Sequence, residues 1–263
     1  MTSIVIKGGA DFSANAVGFR APVSSGLVGW LFIGGRDGDT SAQKIARSTK
    51  NMAFNDYTAV VVGSPTISTG YATLTAANYI QTDIPETESF TLLAVMRNPD
   101  TLADAAHNPA IINTAGPNTL AEGRGIYFVM DSGTSAPPGR LRTYISYGTV
   151  GSGSTTTGNV SPTDLASQFE FVYATADDAA GAYTLGSRTE GVNGSGSFTA
   201  GARLLNAAGN PFRIGAAYAT NVAAGSVDLA FAAIYDRSLS PTEIGTVYEF
   251  VQSYLDAKYS IAV

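Results

Sequence analysis

One helix signal stands at the end of a chain whose other periodic segments read as strands. It lies in AIYDRSLSPTEIGTVYEFVQSYL, residues 233–255. Ser240, Pro241, Thr242 and Glu243 make a capping box with proline at the first helical position. The Ser240 hydroxyl is placed to accept from the Glu243 amide, and the Glu243 carboxylate to accept from the Ser240 amide. Ile244, Val247, Tyr248, Val251, Tyr254 and Leu255 then recur at spacings of three and four, the repeat of one helical face. That stripe must be buried, and the surface offered to it is the β-structure before it. The chain is therefore expected to hold a sheet with an apolar outer face, closed by a single helix.

Alternation dominates upstream. GLVGWLFIGG (residues 26–35) is a short apolar run ended by paired glycines and reads as a buried strand. Its Trp30, the only tryptophan, reads as a core anchor, the other reading being a sugar-stacking platform. Strands are also predicted at residues 57–63, 78–84, 167–175 and 210–219. In SFTLLAVMR (residues 89–97), Phe90, Leu92, Ala94 and Met96 share one face while Leu93 and Val95 fall on the other. A strand apolar on both sides is covered on both sides, by its own chain or by a second subunit. Residues 125–131 and 140–148 read as a hairpin around the turn-rich SGTSAPPG. GTVGSGSTTTGNVSPTD (residues 148–164) reads as a polar surface loop, or alternatively as a domain linker. In SVDLAFAAIYDR, Val227, Leu229, Phe231, Ala233 and Tyr235 line one face. No internal repeat is found, so one β-domain is expected over residues 26–263, preceded by an aperiodic arm over residues 1–25 that docks locally or on a neighbouring subunit.

Composition excludes several functions. The chain has no cysteine, hence no disulfide and no thiolate site. The net charge is −6 and the 15 Lys and Arg are scattered, so nothing neutralises a run of phosphates; nucleic acid is not an expected partner. No apolar run approaches the ~20 residues that cross a bilayer, so membrane insertion is not expected. The first residues lack the charged start and continuous apolar stretch of a secretory signal. Export is expected by another route or by lysis.

GSVDLAFAAIYDRSLSPTEIGTVYEFVQSYL resembles the C-terminal signature of laminin-G-like and pentraxin-like domains of the concanavalin A-like lectin/glucanase superfamily, through Gly225, Tyr235, Asp236, Arg237, Leu239, Glu243 and Ile244. GLVGWLFIGG, NYIQTDIPETESFTLLAVMR and NPFRIGAAYA resemble the family's opening strand, a strand pair and its Arg-Ile-Gly strand. The resemblance implies an all-β fold: a two-sheet antiparallel jelly-roll sandwich with one C-terminal α-helix, forming a lectin-like domain. IVIKGGADFSANAVGF, running into GLVGWLFIGG, also resembles the start of phage tail-associated proteins.

The catalytic glucanases of that superfamily use Glu-x-Asp-x-x-Glu on one strand, and this sequence has none. Asp83, Glu86 and Glu88 in TDIPETES stand in another order, broken by Pro85, and read as a solvated loop. His107 is the only histidine, so a two-histidine metal site within one chain is excluded. No cofactor is required. Relatives bind Ca2+ through loop carboxylates and carbonyls, which makes Asp37 and Asp39, and Asp177 and Asp178, the candidate metal ligands, although neither pair fits a contiguous calcium loop. Sugar binding needs an aromatic platform beside hydroxyls or amides. Tyr144 and Tyr147 lie on opposite faces of their strand, so one of them points outward; with Tyr71 they are the carbohydrate-binding candidates, Tyr79 and Tyr218 being further ones.

These readings converge on a non-catalytic phage virion structural protein, a tail or tail-fibre component. It is expected to assemble as a homo-oligomer with itself and other virion proteins and to bind host-surface glycan. The alternatives are a carbohydrate-binding module of a bacterial surface or secreted protein and, third, a divergent polysaccharide-degrading enzyme.

Overall fold

The computed structural model describes residues 19–102, 104, 107–116, 125–131, 139–163, 167–219 and 223–263. In chain order the elements are β1 (Leu27–Phe32), α1 (Ser41–Ser48), β2 (Ala59–Val62), β3 (Thr66–Ile67), β4 (Ala72–Leu74) and β5 (Tyr79–Thr82). There follow β6 (Phe90–Arg97), β7 (Ile112–Asn113), β8 (Tyr127–Asp131), β9 (Arg140–Tyr147), β10 (Ser154–Val160) and β11 (Glu170–Asp177). The chain closes with β12 (Ala182–Ser187), β13 (Val192–Ser197), β14 (Arg213–Ile214), β15 (Val227–Tyr235) and α2 (Pro241–Tyr259).

Two antiparallel layers form an all-β sandwich. The first runs β13-β12-β11-β6-β15-β4-β3. Strand β15 is long enough to pair twice along one edge: Val227–Leu229 with β4, then Phe231–Tyr235 with β1. The second layer holds β2-β5-β14-β7 and β8-β9-β10. Its two parts are joined at Ala110 and Val129, where the Ile111 amide donates to the Phe128 carbonyl at 2.9 Å.

Period-2 alternation assigns the side chains of β6 to two cores. Phe90, Leu92, Ala94 and Met96 enter the core between the layers, with Leu141, Ile145, Val172 and Ile214. Leu93 and Val95 enter a second core on the outer side of the first layer, with Trp30, Phe171, Phe231 and Tyr235. Helix α2 covers that second core with Ile244, Val247, Val251 and Leu255, all buried. The doubly apolar strand is thus covered by its own chain. Trp30 is fully buried beside Phe231, ring centroids 4.8 Å apart, so it is the core anchor and not a platform. Residues 19–25, the described part of the expected arm, pack on this same side: Phe19 lies 5.4 Å from Trp30, and the Tyr235 hydroxyl donates to the Val23 carbonyl at 3.0 Å.

The corner into α2 is pinned from β6. The Thr91 hydroxyl donates to the Arg237 carbonyl and accepts from the Leu239 amide, each at 2.8 Å. The capping box is present, with Ser240 N to Glu243 Oε2 at 2.9 Å and Glu243 N to Ser240 Oγ at 3.3 Å. Arg237 donates to both carboxylate oxygens of Glu243.

Three expectations are corrected. The helix is not single: α1 is capped by Thr40 and Gln43 in the same reciprocal arrangement. Residues 148–164 are not a loop or linker throughout, because Ser154–Val160 pairs with β9 along its whole length. Threonine-rich and lacking apolar alternation, β10 carries strand propensity without a strand pattern. The strand predicted at residues 210–219 shrinks to Arg213–Ile214; Gly215 at φ +82° turns the chain, and a Cβ there would lie 2.3 Å from the Leu74 Cβ.

The corner gives a test. Hydrogen bonds from Arg237, then from the Ser240 amide, pull the Glu243 carboxyl down from 4.5 to about 2. A depressed carboxylate stabilises the fold above its unfolded value, and that contribution is lost as pH falls toward the folded one. Thermal unfolding of Glu243→Gln is therefore expected to vary less than that of the parent between pH 4.5 and about 2. Ser240→Ala is expected to cost about 1 kcal/mol at neutral pH.

Candidate functional site

Strand register determines which side chains of the first layer point outward beyond the helix, where Tyr173 and Thr175 are buried and Asp177 is half-buried. In β11 the odd residues Phe171, Tyr173, Thr175 and Asp177 face outward, since Val172, Ala174 and Ala176 fill the inner core. Pairing extends the rows: Tyr173 stands opposite Gly186 and then Asn193, Thr175 opposite Thr184 and then Ser195, Asp177 opposite Ala182 and then Ser197. Helix α2 covers this face as far as Phe171, which Tyr248 meets edge-on at 5.4 Å. Asn193, Ser195 and Ser197 stay exposed.

Between this hydroxyl-rich shelf and the corner Ser238–Pro241 lies an open cleft of about 530 Å³. Leu239, Pro241 and Ile244 form its apolar wall, and Thr175, Thr184 and Asn193 its polar floor. The two threonine hydroxyls are hydrogen-bonded to each other at 2.8 Å. Tyr173 lies flat over β12 because residue 186 is glycine; a Cβ there would sit 2.8 Å from the phenol oxygen. Burial raises the Tyr173 pKa against the opposing charge of Arg188, so the phenol is a neutral donor.

The two ends of the cleft carry opposite charges. Arg188 stands at one end, where its Nη2 would be 3.1 Å from a Cβ on Gly245 of α2. It is exposed, and among the described residues its guanidinium has no hydrogen-bond or ion-pair partner. Asp177 stands at the other end and accepts from the Ala180 amide at 3.0 Å. Asp177 is the one carboxylate among the lining residues, so they supply no acid and base pair for glycoside hydrolysis.

Of the tyrosines named from sequence, Tyr144, Tyr147 and Tyr71 are not brought together, whereas Tyr79 and Tyr218 meet across Arg213. Tyr144 is the outward one of its pair: it stacks edge-on with Tyr127 at 5.9 Å beneath the Arg142 guanidinium at 4.8 Å, on the outer face of the second layer. Tyr147 turns inward onto Phe198 at 6.0 Å. Tyr71 packs on Phe169 at 5.4 Å, beside Arg97. Tyr79 and Tyr218 clamp Arg213, whose Cζ lies 4.5 and 3.5 Å from their rings.

Asp37, Asp39 and Asp178 each accept hydrogen bonds that tie their turns to other segments. Asp37 accepts from Thr69 at 2.6 Å, and Asp39 from the Arg36 amide at 2.8 Å and Arg47 at 2.7 Å. Asp178 accepts from the Arg203 amide at 2.9 Å. Among the described residues no group of three or more His, Asp or Glu is placed to hold a metal. His107 is exposed and 2.8 Å from Asp104, which raises its pKa.

TDIPETES is a loop in which Asp83 and Glu88 are exposed as expected, but Glu86 is not solvated. Glu86 is buried against Arg203 at 2.7 Å and accepts from Thr114 at 2.6 Å, their side chains 4% and 0% exposed. Asp83 is engaged with Thr58 instead. Sequence reading missed Tyr173 and Arg188. The signal for them was the odd-residue row of β11 running past the helix, with glycine at residue 186 opposite the tyrosine.

No family model matches the sequence, and no curated protein matches it. The fold is similar to solved structures of botulinum neurotoxin binding domains. The serotype D binding domain aligns with TM-score 0.59 at 13% identity over 88% of this chain. The serotype D ligand binding domain in complex with N-acetylneuraminic acid gives 0.57 at 14% over 88%, and the type G receptor binding domain 0.57 at 13% over 87%. This chain spans about half of each of them, 52% of their length. At such identities the likeness is one of fold, the all-β sandwich. Among the described residues no helix is long and apolar enough to cross a membrane.

The buried pair predicts a stability effect where a catalytic pair would predict an activity. Glu86→Ala strands the Arg203 charge and is expected to cost about 3–5 kcal/mol in urea unfolding.

Proposed function

We propose that this domain is a non-catalytic glycan-binding module and that the cleft beside the α2 corner is its binding site. The observation that carries the reading is the cleft's composition: hydroxyls and an amide on a rigid strand shelf, a tyrosine at one side, an apolar wall opposite. Saccharides present alternating hydroxyl and C–H faces, and preorganised donors beside apolar contact area suit them. The similar structures are described as receptor- or ligand-binding domains, one of them in complex with a sugar acid. A glycan array with the purified domain is expected to give binding that Thr184→Val and Asn193→Ala weaken. Release of reducing ends from bacterial polysaccharides, or array binding untouched by both substitutions, would overturn the reading.

The setting we propose for it is a phage tail or tail fibre, as a homo-oligomer. The resemblance of the N-terminal stretch to tail-associated proteins supports the particle, although residues 1–18 lie outside the described ones. An edge supports assembly. Among the described residues β2 pairs only with β5, and its Val60 is 55% exposed, near in sequence to Phe54 at 80%. An uncharged apolar edge offers its free amides and carbonyls to another strand. Light scattering is expected to show an oligomer that Val60→Lys dissociates; a monomeric parent would remove this part of the proposal and leave the glycan site standing.

A further inference from the structure

We infer that the cleft selects acidic glycans, saccharides bearing a carboxylate or a sulfate, and that Arg188 is the specificity-determining residue. The inference rests on the cleft being a glycan site and names the class of ligand it takes.

Arg188 is the only cation among the cleft's lining residues, in a chain of net charge −6. Its charge is uncommitted, while Glu190 near it in sequence and Glu243 in the first turn of α2 are engaged elsewhere. Glu190, two residues on, accepts from the Thr163 amide with both carboxylate oxygens, at 2.6 and 2.8 Å. Glu243, in the first turn of α2, is held by Arg237 and Ser240. Six other arginines are engaged in ion pairs: Arg47, Arg97, Arg140, Arg142, Arg203 and Arg237. The side chain is nevertheless positioned. It projects from the turn after β12, the Arg188 amide donating to the Phe171 carbonyl at 2.8 Å, and it reaches α2 where Gly245 leaves room. A guanidinium offers parallel N–H donors that match a carboxylate or sulfate in two hydrogen bonds.

The opposite end sets direction. Arg188 lies level with Phe171, and Asp177 is six residues further along β11, about 20 Å at the strand rise of roughly 3.3 Å per residue. Asp177 repels an acid at its end, so the acidic residue of an oligosaccharide sits by Arg188, and neutral residues follow over Thr184 and Thr175. The neutral Tyr173 phenol stands beside the arginine and donates without adding negative charge.

The test uses the full chain on an array of neutral glycans, sialylated glycans, uronic-acid polymers and sulfated glycans, with titration of each hit. Acidic glycans are expected to bind best, more weakly as salt rises. Arg188→Gln is expected to lower their affinity about ten- to hundredfold, the range of a hydrogen bond to a charged group, and to lower that of neutral glycans by less. Arg188→Lys is expected to restore part of it. Arg188 lies on an exposed turn, and circular dichroism of both variants checks the fold. The sialylated, uronic and sulfated arms separate carboxylate from sulfate as the group read. Neutral glycans bound as tightly as acidic ones, or acidic binding indifferent to Arg188→Gln, would overturn this inference and leave the glycan site in place. No binding to any arm would remove both.

Discussion

The rest of the molecule depends on one sheet being apolar on both sides. β6 and β15 lie at the middle of the first layer and are buried along almost their whole length. The inner residues meet the second layer, and the outer ones would face water without α2. Each large side chain so buried is worth about 1.5–3 kcal/mol, so the outer core of Trp30, Phe171, Phe231 and Tyr235 represents a driving force that no short helix could supply from propensity alone. The helix is held by the sheet and the sheet is sealed by the helix. Thr91, on the same β6, satisfies both the carbonyl and the amide of the corner between them.

That arrangement creates the cleft as a remainder. The helix covers the outer face over β15, β6 and part of β11, and its N-terminal corner forms a wall where it stops. Beyond it the outward residues change from the buried Phe171 to Thr184 and Ser195, from those a helix must cover to those water can cover. A sugar competes with water for such groups and gains only where several are fixed in place. A β-sheet beside a pinned corner provides that fixity.

Much of the frame was legible in the chain. The Ser240–Glu243 box and the stripe from Ile244 to Leu255 located α2, and the two-sided pattern of residues 89–97 placed β6 between two covered faces. What was not legible falls into two kinds. β10 is built from small and polar residues, so period carries no signal there; α1 holds only Ala42, Ile45 and Ala46 at helical spacing, too short a run to stand out beside the Thr40 and Gln43 pair. The site residues are the second kind. Arg188 and Asn193 become neighbours of Ser238 only through the register of β11, β12 and β13 and the path of the corner, neither of which a linear sequence states. Tyrosine counting pointed to Tyr144, Tyr147 and Tyr71, which the fold sends to three separate places, because aromatic content reports packing before it reports binding.

Because the cleft is bounded on one side by residues 238–241, tied to β6 through Thr91, rather than by a paired strand, its width is not fixed by the strand ladders. Lengthening or shortening that corner would shift the wall while every ladder kept its register. The shape of the cleft would then change through a few residues of one turn while the sandwich stayed as it is.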